Sequence, residues 1–143
     1  MAYIAPNYAI HEFNHSFVNP LLEAESNIAL MQRVGQGLMK LSKYSMSRQD
    51  YNSWQTIINE SVVRVAVIIY MIENGFDNQH VQREMLDQVV CDFRWMPELV
   101  TALHNYIASR SQYLTLNDFF PEIERTLNEY LKKEQERILK QLQ

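Results

Sequence analysis

The chain has 143 residues, of which 47% are hydrophobic and 11% aromatic, enough to fill one core and too apolar for disorder. A formal net charge of −4, with no basic stripe interleaved with aromatics, argues against a dedicated nucleic-acid binder. The longest apolar stretch, Val62 to Ile72, is interrupted by Arg64 and too short to cross a bilayer, and the single cysteine, Cys91, excludes an internal disulfide and any Cys-x-x-Cys metal site.

Three glycines, four prolines and no alternating apolar–polar runs predict a mainly α chain, a helical bundle forming one domain over residues 1–143. Pro6-Asn7 opens a first helix with Asn7 as its cap, and Asn19-Pro20 closes it, because the residue before proline is pushed out of the helical region. A second helix is expected from about Leu21 to Tyr44, with Gly35 and Gly37 marking close packing against a neighbour. Ser47-Arg48-Gln49-Asp50 resembles a capping box and opens the central helix, expected to be the longest, which ends at Asn74-Gly75. From Ile57 to Ile72 this helix is apolar on nearly every side, so it is buried all round, and its two charges, Glu60 and Arg64, need partners. A fourth helix spans roughly Asn78 to Asp92, and a fifth has Pro97 in its first turn and runs to about Tyr113. Thr115-Leu116-Asn117-Asp118 begins the last segment, where Pro121 starts or kinks an amphipathic helix to the C-terminus.

The first helix carries the densest chemistry. His11-Glu12-Phe13-Asn14-His15 has the H-E-x-x-H spacing of the zinc metalloproteases called zincins. Residues four apart lie one above the other on a helix, so both imidazoles can reach one metal, and Glu12 sits beside the open position, where it can act as general base toward a bound water. The flanking residues Ala9, Ile10, Ser16 and Phe17 are uncharged, as expected of a helix buried behind a metal site. A third protein ligand is needed. The position of a metzincin's third histidine is Leu21, and His80 and His104 lack motif context, which leaves Glu60, alone in an apolar helix with Arg64 one turn later. Arg64 can orient a ligating Glu60 from behind, or the two can form only a buried ion pair.

The string from His11 to Leu21 resembles the signature of an uncharacterised bacterial family, a domain of unknown function regarded as a gluzincin-like metallopeptidase. Asn59-Glu60-Ser61-Val62-Val63-Arg64, Arg94-Trp95-Met96-Pro97-Glu98-Leu99-Val100 and Tyr113 to Pro121 are similar too, so the match runs from about Ala9 to Pro121. The resemblance implies zinc ligation by His11, His15 and Glu60, with Glu12 as general base. Zincins also generally carry an N-terminal sheet whose edge strand aligns the peptide substrate, and this chain has no residues for one. With the pentad beginning at residue 11, the chain is expected to be a fragment, or the C-terminal part of a larger zincin-like protein. For the oxyanion-stabilising His or Tyr that zincins commonly use, His104, Tyr106 and Tyr113 qualify by residue type, the alternative for each being a buried aromatic with a satisfied polar tip. Tyr70 and Trp95 read as core.

The leading expectation is a zinc-dependent peptidase acting on a peptide or protein substrate. The alternative is a helical interaction module, a truncated or degenerate relative that forms a homodimer or packs against a partner supplying the missing sheet. Neither nucleic acid nor membrane is expected as a partner, and Met1 to Asn7 shows no basic region or apolar stretch of a signal peptide.

Overall fold

Six helices in succession account for the architecture: α1 (Pro6–Glu23), α2 (Glu25–Arg48), α3 (Trp54–Glu73), α4 (Asn78–Val90), α5 (Met96–Ala108) and α6 (Leu116–Gln141). The structure, a computed structural model, describes residues 6–143 and the side chains from residue 8 onward. No strand occurs among the described residues.

The apolar run in α3 decides the arrangement. Ile57, Ile58, Val62, Val63, Val65, Ile68 and Met71 are all at most 1% exposed, so α3 must be enclosed, and α1, α2, α4 and α5 pack around it while α6 closes across α2 and α5. By length and composition the whole of α3 could also cross a membrane, more than its interrupted apolar stretch indicated. Its burial inside the bundle accounts for that hydropathy: a core helix sees protein where a membrane helix sees lipid.

Helix ends explain where the boundaries differ from expectation. The Ser47–Asp50 segment does not cap α3. Ser47 and Arg48 belong to the last turn of α2, and Asp50 adopts a left-handed φ of 63°. Backbone bonds from Tyr51 N to Met46 O and from Asp50 N to Ser47 O complete a Schellman closure there. The true N-cap of α3 is Ser53, whose hydroxyl accepts from Thr56 N. The same closure, with Gly75 (φ 72°) and Asp92 (φ 70°) in the left-handed position, ends α3 and α4. Pro20 lies inside α1 and does not end it, since losing one N–H leaves Val18 and Leu22 buried on either side to hold both turns on the core. The cap expected at Asn7 falls inside the helix, and whatever precedes Pro6 lies outside the described residues.

α2 continues past Tyr44 to Arg48 and bends at Ser42, which leaves helical geometry and donates its hydroxyl to Leu38 O at 2.7 Å. α5 stops at Ala108, five residues before Tyr113. α6, with 26 residues, is longer than the 20-residue central helix expected to be the longest. It starts at a reciprocal capping box, Thr115 with Asp118, and Pro121 is accommodated inside it.

Candidate metal centre

α1 lies along α3, and this contact builds the site. One turn apart on α1, His11 and His15 stack edge to face with ring centroids 5.0 Å apart, their Nε2 atoms 3.2 Å apart. Glu60 comes from α3 and is 7% exposed. Its Oε2 is 3.5 Å from His11 Nε2 and its Oε1 is 3.1 Å from His15 Nε2. Donors bonded tetrahedrally to one zinc at about 2.0–2.1 Å stand about 3.3–3.4 Å from one another, so the two nitrogens and the two carboxylate oxygens are spaced closely enough to share one ion.

Asn59 and burial act on the two imidazoles. Asn59 donates its amide to Asn19 Oδ1 at 2.7 Å, which turns Asn59 Oδ1 toward His15 Nδ1 at 3.1 Å. Nδ1 is thereby set to donate to Asn59, and Nε2 faces His11 and Glu60. Burial holds His11 below the ordinary imidazole range, opposed by the Glu60 carboxylate and reinforced by Arg64 and His15, so its neutral form is favoured. Two imidazole nitrogens and a carboxylate thus converge on one point. A donor set of two imidazole nitrogens and a carboxylate is of the kind that suits zinc.

Behind Glu60 the partners that its burial requires are present. Arg64 donates from Nε to Glu60 Oε2 at 3.1 Å, from Nη1 to Gln88 Oε1 at 2.6 Å and from Nη2 to the Tyr51 hydroxyl at 2.9 Å. Tyr51 in turn donates to Glu60 Oε2 at 3.4 Å. Gln88 donates to Glu84 at 2.8 Å, and the guanidinium lies 4.6 Å from the centre of the Phe93 ring. With this many partners, neither Arg64 nor Glu60 is free to swing.

Glu12 is placed differently from Glu60. It is exposed, and its carboxylate reaches within 4.8 Å of the histidine nitrogens. It lines a pocket of about 280 Å³ together with Tyr8, His11, Arg64, Glu84 and Gln88. His11, Glu12 and His15 form one group that could hold an ion, and Glu60, buried and fixed by Arg64, lies closer to both imidazoles.

The fold therefore gathers His11, Glu12, His15, Glu60 and Arg64. It does not bring the three oxyanion candidates to them. Tyr106 and Tyr113 pack against Phe119 with ring centroids 5.0 and 4.9 Å away, and His104 is exposed on α5. His80 pairs with Asp77 at the start of α4. The uncharged flanks of the pentad are not buried behind the site: Phe13 and Phe17 are 63% and 60% exposed, because α1 turns only one side toward α3. Trp95 is buried as expected, whereas Tyr70 is 39% exposed. Tyr51, Asn59, Gln88 and Tyr8 are site residues that the sequence did not single out. Asn59 precedes Glu60 directly, and Arg64 in its apolar helix called for acceptors, but nothing in the chain marked which ones.

No curated protein and no solved structure matches the chain. It belongs to the family described as domain of unknown function DUF4932, whose model matches residues 2–126. That span contains every residue of the site.

Proposed function

We propose that this member of the DUF4932 family is a zinc-dependent metallopeptidase of the gluzincin type, in which His11, His15 and Glu60 hold the metal and Glu12 is the general base. The observation that carries the reading is the convergence of the three donors at 3.1–3.5 Å, two from one helix and one from another. Zinc, when bound, supplies a Lewis acid for the scissile carbonyl and lowers the pKa of its water toward about 7. The rest falls to the chain. Glu12, open to the pocket, accepts the proton of the attacking water and delivers it to the leaving amine. Asn59 keeps the lone pair of His15 pointing inward, and Arg64 with Tyr51 keeps Glu60 in place. Tyr8, in the same pocket, is the phenol available to a developing oxyanion, a role that His104, Tyr106 and Tyr113 do not reach.

Protein purified without a histidine tag should contain about one zinc per chain, with the metal lost in His15→Ala and in Glu60→Ala. Glu12→Gln should retain the metal and lose hydrolysis of a mixed peptide library, because an amide cannot take the proton. Metal-free wild type, or a His15→Ala protein with undiminished zinc affinity, would remove the basis of this reading.

A second reading, a non-catalytic interaction module, is favoured by one observation: Phe13 and Phe17 are 63% and 60% exposed on the helix that carries the pentad. Such a face suits a second copy or a domain supplying a sheet. Zinc bound at full occupancy with no hydrolysis, in the presence of that partner, would select it.

A further inference from the structure

α2 and α6 form the walls of a groove of about 600 Å³. Arg33, Lys40 and Lys43 from α2 and Lys132 from α6 line it, and no acidic residue does. These are four of the thirteen Lys and Arg residues of a chain whose net charge is −4. The concentration originates in the sequence of α2, which contains no Asp or Glu from Ser26 to Arg48. Among the described residues none of the four makes an ion pair, whereas Arg64, Arg94, Arg125 and Arg137 all do. The floor is different in character. Met39 and Leu131 supply apolar surface, and α2 and α6 approach so closely at Gly37 that an added Cβ would collide with the Leu131 side chain. No aromatic side chain is present on which a nucleobase could stack.

We infer that this groove is a docking site for an acidic amphipathic helix of another polypeptide, apolar side chains seated on Met39 and Leu131 and carboxylates meeting the four cations. An apolar floor with three cations on one wall and one on the other fits a helix with an apolar stripe and acidic flanks. The same cations in an acidic protein also steer such a segment to this face in preference to the rest of the surface. Nucleic acid, the other polyanion, would engage the cations and leave the apolar floor without a partner. The site is distinct from the metal centre and does not depend on its function.

Fluorescence anisotropy with the full chain tests the inference. The probes are a labelled helical peptide with a Leu stripe flanked by Glu, the same peptide with Gln for Glu, and a single-stranded oligonucleotide of equal charge. The Glu peptide should bind, weaken with added salt, and bind about tenfold or more weakly to a Lys40→Glu/Lys43→Glu protein. Both lysines are exposed, and circular dichroism would verify that the variant is folded. Absence of binding, equal binding of the Gln peptide, insensitivity to the double substitution, or an oligonucleotide that binds as tightly as the Glu peptide would each overturn it.

Discussion

Glu60 is a carboxylate 7% exposed in the most apolar helix of the chain, a position that costs several kcal/mol for an ion without partners. Arg64 and Tyr51 provide those partners on one side and the two imidazoles face it on the other. Tyr51 is the member whose removal changes least else. Tyr51→Phe keeps the ring against Phe93 and deletes the hydroxyl that joins Arg64 to Glu60. Loss of such an outer hydrogen bond should weaken zinc binding by about tenfold and leave a folded protein, as calorimetric titration of the metal-free variant would report. Unchanged affinity would mean that Arg64 alone positions the carboxylate. Glu60 and Arg64 were legible in the sequence because charges in an apolar run are anomalous. Tyr51 was not, since a tyrosine in a connecting segment has no pattern that tells which side chain its hydroxyl will meet.

Two glycines of α2 show how an element is fitted to its neighbours. A Cβ at Gly35 would lie 2.5 Å from Trp54 Cε3 and 3.2 Å from Ile58 Cγ1, whereas one at Gly37 would meet the end of the Leu131 side chain. An indole ring cannot yield as a leucine methyl can. Gly35→Ala should therefore destabilise the protein by roughly 2 kcal/mol, the clash outweighing the gain of about 1 kcal/mol in helix propensity. Gly37→Ala should stay within about 1 kcal/mol of wild type. Urea denaturation of both variants would test the ordering, which an equal or stabilising effect at Gly35 would refute. The close packing was readable from two glycines inside a periodic apolar pattern, and six helices were readable from the punctuation. Ends were harder. Ser47-Arg48-Gln49-Asp50 has the composition of an N-cap, yet the chain uses it to leave a helix, because Asp tolerates the left-handed backbone that a Schellman closure requires. Composition alone does not distinguish the two uses.

Across the whole molecule, α3 is the hub and α1 lies on its flank, holding the candidate metal centre with Tyr8 in its pocket on one side and presenting Phe13 and Phe17 on the other. The sequence led to a homodimer or a partner in place of the missing sheet as an alternative, and this face is where the structure leaves apolar side chains uncovered. The basic groove was invisible in the sequence, its cations coming from two helices far apart in the chain. Phe13 and Phe17 touch edge to face at 5.0 Å and form one patch. Burying the exposed parts of two phenyl rings is worth on the order of 5 kcal/mol, at about 25 cal/mol per Å². A two-fold contact counts the patch twice, so roughly 10 kcal/mol stands against an association cost of about 4–15 kcal/mol. The balance places a homodimer in the micromolar range or weaker. Light scattering over a concentration series should show mass rising with concentration for wild type and a monomer throughout for Phe13→Asp, which buries a carboxylate in the contact. A wild type that stays monomeric at high concentration and binds little apolar dye would show that the chain itself already covers this face.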